Sequence, residues 1–432
     1  MISDAVPASP QQAYVWVWLP DKTEPVVAGV ITKGNGRYDF NYGQSYLKRP
    51  DAFPLYEPEL PLKAGNIHPL DRLFMAGCLR DGAPDAWGRR VILNQVYGKT
   101  GQVADVDTLD ELAYMLMSGS NRIGALDFQA SPTTYVARQA QSTSLGELLN
   151  AADMVDQGLA LSPDLERALL HGTSLGGARP KAAIEDDGQM MIAKFSSSTD
   201  TYNVVKSECV AMRLAALVGI NVAPVRLVKT MGKDILLVER FDRVKTDAGW
   251  LRKAQVSALT IFELDEMMAR YASYEDLTHQ IRHRFTSPRE TLRELFNRLV
   301  FNILCGNTDD HARNHAAFWD GKALTLTPAY DICPQNRVGQ EASQAMKIVG
   351  DENASKISVC LQAAGNFMLS RADAIAIVKH QIMTIKASWD AVCTEASLSE
   401  IDANLLKARM FLNEYAFYDT SEELQGLGWG AA

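Results

Sequence analysis

The sequence predicts an α+β protein with two lobes behind a β-rich subdomain, and three observations carry that reading. Strand-like alternation opens the chain over residues 13–45, helices and short strands intermix over 145–245, and helical periodicity dominates beyond 255. With 432 residues, 47% hydrophobic and 22% charged, the chain has room for two or three domains with substantial cores.

The opening stretch alternates in "AYVWVWL", "EPVVAGVIT" and "GRYDFNY", broken by Asp-Lys and Gly-Asn-Gly turn signals, which predicts a small antiparallel sheet. Residues 69–97 hold two apolar-periodic helical segments around a Gly-Ala-Pro break, and "DTLDELAYMLM" (107–117) adds a third with acidic residues in its first turn. Residues 129–144 are polar and aperiodic, the best linker candidate, so subdomains are expected at 1–128, 145–245 and 246–432. The middle one reads as a helix, a glycine-rich loop, a hairpin turning at "EDDG" (185–188), a helix over roughly 203–218, and strands ending in "DILLVERFD" (234–242). The last is helical apart from a strand-like interruption at "KALTLTPAYD" (322–331). In it, Ser287, Pro288 and Glu290 resemble a capping box, and Leu292, Leu295, Phe296, Leu299 and Ile303 supply a buried stripe.

A net charge of −9 argues against a free-standing basic nucleic-acid binder, so any role on DNA is expected to be indirect. Six scattered cysteines without a C-x-x-C pair suit reduced core thiols and a cytoplasmic setting. The first residues, "MISDAVPASPQQ", lack a basic n-region and an apolar h-region, and no run of about eighteen apolar residues occurs, so neither export nor membrane spanning is expected.

The most informative stretch is "GNTDDHARNH" (306–315), which follows the apolar stripe. Magnesium-dependent phosphoryl transfer needs a carboxylate to receive the acceptor's proton, a neutral oxygen ligand for metal, and a second carboxylate ligand. Asp309, Asn314 and Asp331 can take those roles: the first two are five apart, as in protein-kinase catalytic loops, and the third lies seventeen further on behind a predicted strand. The competing reading is a plain loop in which Asp310 caps a turn and the histidines are solvated. A zinc site on His311 and His315 is weaker, because the pair lacks a third ligand.

Upstream, "GTSLGGARPKAAI" (172–184) is a loop with three glycines entering a strand, able to bring backbone N–H groups to phosphates, with Arg179 and Lys181 adding charge; a simple hairpin turn is the alternative. It lacks the Gly-Lys-Ser/Thr of a P-loop. Lys194, alone in the apolar run "MMIAKF", could meet nucleotide phosphates or merely lie on an edge strand, and Glu208 could pair with it or face solvent. The strand end from Glu239 to Phe241, packed by Val238, could receive a nucleotide base. Each signal is weak alone; their order, from glycine loop through strand lysine and hinge strand to Asp-x4-Asn and Asp, is that of a kinase.

Four stretches, "TSLGGARPKA", "VERFDR", "NTDDHARNHA" and "LTPAYDI", resemble the HipA-like serine/threonine kinase toxins of bacterial type II toxin–antitoxin systems, and "LRDGAPDAWGRR" (79–90) with "SNRIGALDF" (120–128) resembles that family's amino-terminal subdomain. The resemblance spans essentially the whole chain. It implies a bilobal fold related to eukaryotic protein kinases and phosphatidylinositol kinases, acting with ATP and Mg2+ on a protein substrate such as an aminoacyl-tRNA synthetase. It implies Asp309 as catalytic base, Asn314 and Asp331 as metal ligands, and Ser174 as a site of inhibitory autophosphorylation, with Thr173 beside it as the other candidate. Nucleotide binding would fall to Ser174, Gly176, Gly177, Lys181, Lys194, Glu239, Phe241 and His311. Asp310 stands where many relatives have glycine. The implied partner is a helix-turn-helix, HipB-like antitoxin, which would carry the chain to operator DNA. A scaffold or co-repressor without turnover, and a lipid or small-molecule kinase, are the alternatives.

Overall fold

The computed structural model describes residues 9–97, 108–138, 143–159, 161–169, 172–197, 200–337, 339 and 341–429. The start of the segment read as lacking a leader therefore lies outside the described residues. Two compact units result: Met1–Thr199 with Val228–Val256 and Phe318–Lys322, and Asp200–Leu227 with Ser257–Ala317 and Ala323–Ala432.

The first unit holds two larger antiparallel sheets and a two-stranded one, Arg243–Thr246 with Gly249–Arg252. Strands β1 (Gln12–Trp18), β2 (Pro25–Lys33), β3 (Tyr38–Tyr42), β4 (Asn66–Ile67) and β5 (Leu126–Gln129) run in the order β4-β3-β2-β1-β5. β1 lies between β2 and β5, and a register shift between Val15 and Trp16 accompanies a continuous buried run, Val15 to Trp18. The segment 129–144, expected as a linker, is not one as far as Arg138. The Tyr135 ring lies 5.4 Å from that of Trp16, its hydroxyl donates to Asp127 at 3.0 Å, and Arg138 donates to the same carboxylate at 2.9 Å. Polar composition there marks a segment that packs through hydrogen bonds; 139–142 lie outside the described residues.

The second sheet has the order β6-β7-β9-β8, from β6 (Lys181–Asp186), β7 (Gln189–Lys194), β8 (Val225–Thr230) and β9 (Lys233–Glu239). Its first hairpin turns through Asp187 and Gly188, both at positive φ (49° and 75°), the two-residue turn whose twist matches antiparallel strands. Helices α1 (Ala86–Tyr97) and α2 (Leu145–Asp156) cover this sheet, so that Trp87, Val91, Leu148 and Leu149 share one core with Ala182, Ala193, Phe195 and Leu237. α2 is entered through a capping box, Ser144 with Glu147, that the linker reading had hidden.

The second unit is mainly helical, built from α3 (Val204–Leu217), α4 (Tyr274–Arg284), α5 (Pro288–Cys305) and α6 (Arg371–Glu395) among shorter pieces. The expected stripe Leu292, Leu295, Phe296, Leu299, Ile303 is fully buried on α5, each side chain contributing about 1.5–3 kcal/mol of hydrophobic stabilisation. Proline at the first turn starts α5 as expected, but Ser287 makes no side-chain capping bond, so the capping box is absent. Gly306 ends the helix at φ 74°, where a Cβ would also come within 2.9 Å of the Met410 carbonyl oxygen. Glu208 on α3, with a surface position weighed for it, is buried along with most of that helix.

No helix among the described residues is long and apolar enough to cross a membrane. All six cysteines are buried, and none is in a disulfide.

Candidate active site

In the second unit, the glycine cap of α5 delivers the chain into the loop 307–315. The loop is sewn down at its start: Asn307 donates its backbone N–H to the Asn302 carbonyl at 2.8 Å and its side-chain amide to the Asn302 side-chain oxygen at 3.0 Å, while the backbone N–H groups of Gln335 and Ala345 donate to the carbonyls of Gly306 and Thr308. The residues that follow face opposite ways. Asp309 is exposed, whereas Asp310 is buried.

Asp309 and Asn314 are drawn together by a hydrogen bond from the Asn314 side-chain amide to the Asp309 carbonyl at 3.1 Å, reinforced by backbone bonds from His311 to Asp309 and from Asn314 to His311. This bond uses the Asn314 nitrogen and leaves its amide oxygen as the atom able to meet a cation. Asp331 carries a left-handed backbone (φ 59°), and its neighbour Tyr330 donates its hydroxyl to the Arg313 carbonyl at 2.7 Å, tying the two motifs to one place. Although Asp309 is exposed, the atoms crowded around its carboxyl raise its pKa above the ordinary value, opposed by His311 and reinforced by the Asp331 and Asp310 carboxylates. Two carboxylates that disfavour one another's charge beside a free amide oxygen form a hard-oxygen donor set of the kind that suits magnesium. Among the described residues no group of three or more His, Cys, Asp or Glu side chains is arranged to hold a metal, and His315 is spent on Asp310, so the zinc reading fails.

Asp310 does not cap a turn, and His315 is not solvated. Asp310 accepts from the Tyr274 hydroxyl and, at 2.9 Å, from His315 Nε2, all three side chains being buried. Burial works to raise the Asp310 pKa, and His315 and Tyr274 more than offset it, so its carboxyl sits below the ordinary range. His311 is half-buried beside Asp309, and Arg313 reaches Glu266 at 2.7 Å.

In the first unit, the glycine-rich loop is pinned by the segment that starts α1. The Gly177 N–H, on a residue at φ 99°, donates to the Asp85 carboxylate, Arg90 donates to the Ala178 carbonyl at 2.7 Å, and Lys181 Nζ donates to the Gly176 carbonyl. Trp87 Nε1 donates to the Lys181 carbonyl at 3.1 Å. Thr173 is buried and its hydroxyl accepts from the Gly119 N–H at 2.9 Å; Ser174 is equally buried, and its hydroxyl has no hydrogen-bond partner among the described residues. Lys181 and Lys194 are register partners across β6 and β7, which places both side chains on one face of the sheet; both are buried. On the neighbouring strand Leu236 pairs with Lys194 and Glu239 with Met191. Phe241 lies beyond the strand end, its ring 5.8 Å from that of Phe318.

The structure thus gathers Asp309, Asn314, Asp331 and His311 in one unit, and Ser174, Gly176, Gly177, Lys181, Lys194, Glu239 and Phe241 in the other. Sequence reasoning missed Asp85, Arg90 and Tyr274. Asp85 and Arg90 lay inside the quoted "LRDGAPDAWGRR" without a signal of their own, and Tyr274 precedes its partner Asp310 by 36 residues.

The model described as HipA-like C-terminal domain matches residues 173–389, half of the chain, and that of the HipA N-terminal domain matches residues 17–129. The protein Y4mE of Sinorhizobium fredii, whose name places it provisionally among kinases, is 28% identical over 334 residues, 71% of this chain and 74% of its own length. The serine/threonine-protein kinase toxin HipA of Shewanella oneidensis is 24% identical over 203 residues, 41% of this chain and 47% of that protein. In the solved complex of Shewanella oneidensis HipA with HipB and operator DNA, a chain 18% identical superposes with a TM-score of 0.65 over 91% of this chain and 94% of that one, so the two share a bilobal α+β fold. With both family models matched in the order in which the β-rich subdomain and the kinase motifs occur, the chain belongs to the HipA family of toxin-like kinases.

Proposed function

We propose that the chain is an ATP- and magnesium-dependent serine/threonine protein kinase, the toxin of a toxin–antitoxin module, that phosphorylates an aminoacyl-tRNA synthetase and limits itself by autophosphorylation at Ser174. In this reading residues 1–128 form the amino-terminal subdomain, 145–245 the nucleotide lobe and 246–432 the helical lobe. A HipB-like helix-turn-helix antitoxin is the partner and the contact with operator DNA; HipB and operator DNA accompany HipA in the Shewanella oneidensis complex.

The observation that carries the reading is the convergence of Asp309, Asn314 and Asp331, with the Asp309 pKa raised. A raised pKa makes Asp309 a better proton acceptor than an ordinary carboxylate. It would take the proton of an acceptor hydroxyl as that oxygen bonds to the γ-phosphorus and the bond to the β-phosphate oxygen breaks, ADP leaving with the electron pair. Asn314 and Asp331 would hold magnesium, which when bound neutralises charge between the phosphates. In the other unit, Lys181 and Lys194 stand directly opposite one another on one face of the sheet, and this pairing of two cations supports both as phosphate contacts. Ser174 rather than Thr173 is favoured as the modified residue because the Thr173 hydroxyl is already engaged. A phosphate there adds about two negative charges to a loop that would otherwise meet nucleotide phosphates.

The test is mass spectrometry of the wild-type protein and Asp309→Asn, each incubated with magnesium–ATP. Phosphate is expected on Ser174 in the wild type alone. Absence of phosphate from both, together with no binding of magnesium–ATP by calorimetry, would turn the reading to an inert co-repressor.

A further inference from the structure

We propose that Asp310, clamped by Tyr274 and His315, is the positioning residue of the catalytic loop, holding Asp309 and Asn314 in the geometry that phosphoryl transfer requires. The inference rests on the kinase reading above.

The argument begins with where a charged side chain can go. A buried carboxylate is costly unless hydrogen bonds satisfy it. Asp310 is buried next to an exposed Asp309, and its two oxygens are each satisfied: Oδ2 by the Tyr274 hydroxyl, Oδ1 by His315 Nε2. Because a carboxylate only accepts, the hydrogen must sit on Nε2 of the imidazole, which fixes the ring's orientation. The Tyr274 hydroxyl also lies 3.3 Å from Nε2, and the Tyr274 ring meets the imidazole edge-on with centroids 5.4 Å apart. Tyr274 is in turn fixed at the first position of α4, capped by Ser273, and its ring lies 6.4 Å from that of Phe367, which packs on Phe296 of α5.

The clamp therefore grips the loop at both ends of the reactive segment. Asp310 is the residue after Asp309, and His315 is the residue after Asn314. His315 is also held through its backbone, whose carbonyl accepts from the Ala258 N–H at 2.7 Å. Between these anchors the chain closes on itself through the Asn314 amide to the Asp309 carbonyl. With Asp310 drawn inward, the backbone turns the Asp309 carboxylate outward, and the bonded His315 sets the direction in which the Asn314 oxygen faces. Nothing in a plain structural anchor requires its two grips to flank the proton acceptor and the metal ligand; here they do.

Misplacement of reacting groups by about 1 Å costs on the order of a hundredfold in rate. The test is transfer of the γ-phosphoryl group from magnesium–ATP to the Ser174 hydroxyl of the full chain and of Tyr274→Phe and Asp310→Asn, read as ADP formed in a single turnover, with kcat as the limiting rate constant and KM from its dependence on ATP, magnesium–ATP affinity by calorimetry and Tm by calorimetric scan. Tyr274→Phe keeps the ring and its packing and removes only the hydroxyl, so it guards against a variant that fails to fold. The expected result is a kcat lower by about tenfold to a hundredfold in both variants. Magnesium–ATP affinity should fall by less than kcat does, and the double variant should be little worse than either single one because the two act as a unit. Wild-type kcat per folded molecule in both variants overturns the inference while leaving the kinase reading standing. A fall that merely tracks lost folded protein also overturns it. A wild-type chain that binds no magnesium–ATP and forms no ADP removes the kinase reading and the inference with it.

Discussion

Glu59 shows at residue scale how burial sets protonation in this chain. It is a buried carboxyl whose two oxygens accept the backbone N–H groups of Gly77 and Cys78 at 2.7 and 2.8 Å. Burial nonetheless outweighs those bonds and lifts its pKa from 4.5 to about 7. A carboxyl whose folded pKa exceeds its unfolded one binds more protons when folded, so its stabilising contribution is complete below about pH 4.5 and is lost as pH rises through about 7. The loss amounts to about 3 kcal/mol. Urea unfolding at pH 5 and pH 8 should show that decline, and Glu59→Gln, which cannot ionise, should flatten it. An equal pH dependence in the two proteins would mean that Glu59 stays ionised throughout. Asp310 is the contrasting case, a buried carboxyl held below the usual range because its partners are a phenol and an imidazole rather than backbone amides alone.

Among the elements, the glycine-rich loop is held by a distant side chain. Its Gly177 amide is held by a side chain 92 positions earlier, Asp85, and a hydrogen bond to a charged acceptor is worth about 1.5–3 kcal/mol. Asp85→Ala should therefore speed amide exchange in the peptide covering 172–180 by roughly tenfold to a hundredfold, with α5 unaffected; unchanged protection in that peptide would show that Arg90 and Lys181 suffice. This contact also marks where the sequence stops being readable. Periodicity exposed β1 to β3 and the stripe of α5 because a side-chain period of two or of 3.6 is a local property. The five-residue spacing of Asp309 and Asn314 exposed the loop for the same reason. Asp85, Tyr274 and the buried setting of Glu208 were invisible because each depends on contacts between distant parts of the chain. The missing Ser287 cap and the packed residues 130–138 show the converse: residue type suggests a role, and the neighbours decide whether it is taken up.

At the scale of the whole molecule, the amino-terminal subdomain is bound into the first unit by charge as much as by apolar packing. Asp242 accepts from Arg240 and Arg243, each at 2.7 Å, and from the Gly124 N–H at 2.7 Å, all buried. Arg240 also donates to the carbonyls of Asn121 and Arg122, and Arg243 to that of Gly124. Burial works to raise the Asp242 pKa and the two guanidiniums more than offset it, so the carboxylate stays charged down to strongly acidic pH. Removing residues 1–128 takes away the loop 121–124 that satisfies these groups and, with it, the Trp87 and Val91 side chains that complete the core of the second sheet. Leaving one member of a buried charged network without its partners costs about 3–5 kcal/mol, and uncovering large core side chains costs a similar amount again. Against a total stability of about 5–15 kcal/mol, that loss is decisive. A chain beginning at residue 129 should accordingly lose protease resistance first in β6 to β9, including the strand that carries Lys194. The point variant Asp242→Ala, which strands Arg240 and Arg243 without deleting any core, should lower Tm in the full chain by several degrees. Limited proteolysis read by mass spectrometry separates the possibilities: protected β6 to β9 in the shortened chain would show that the second sheet folds without its amino-terminal partner.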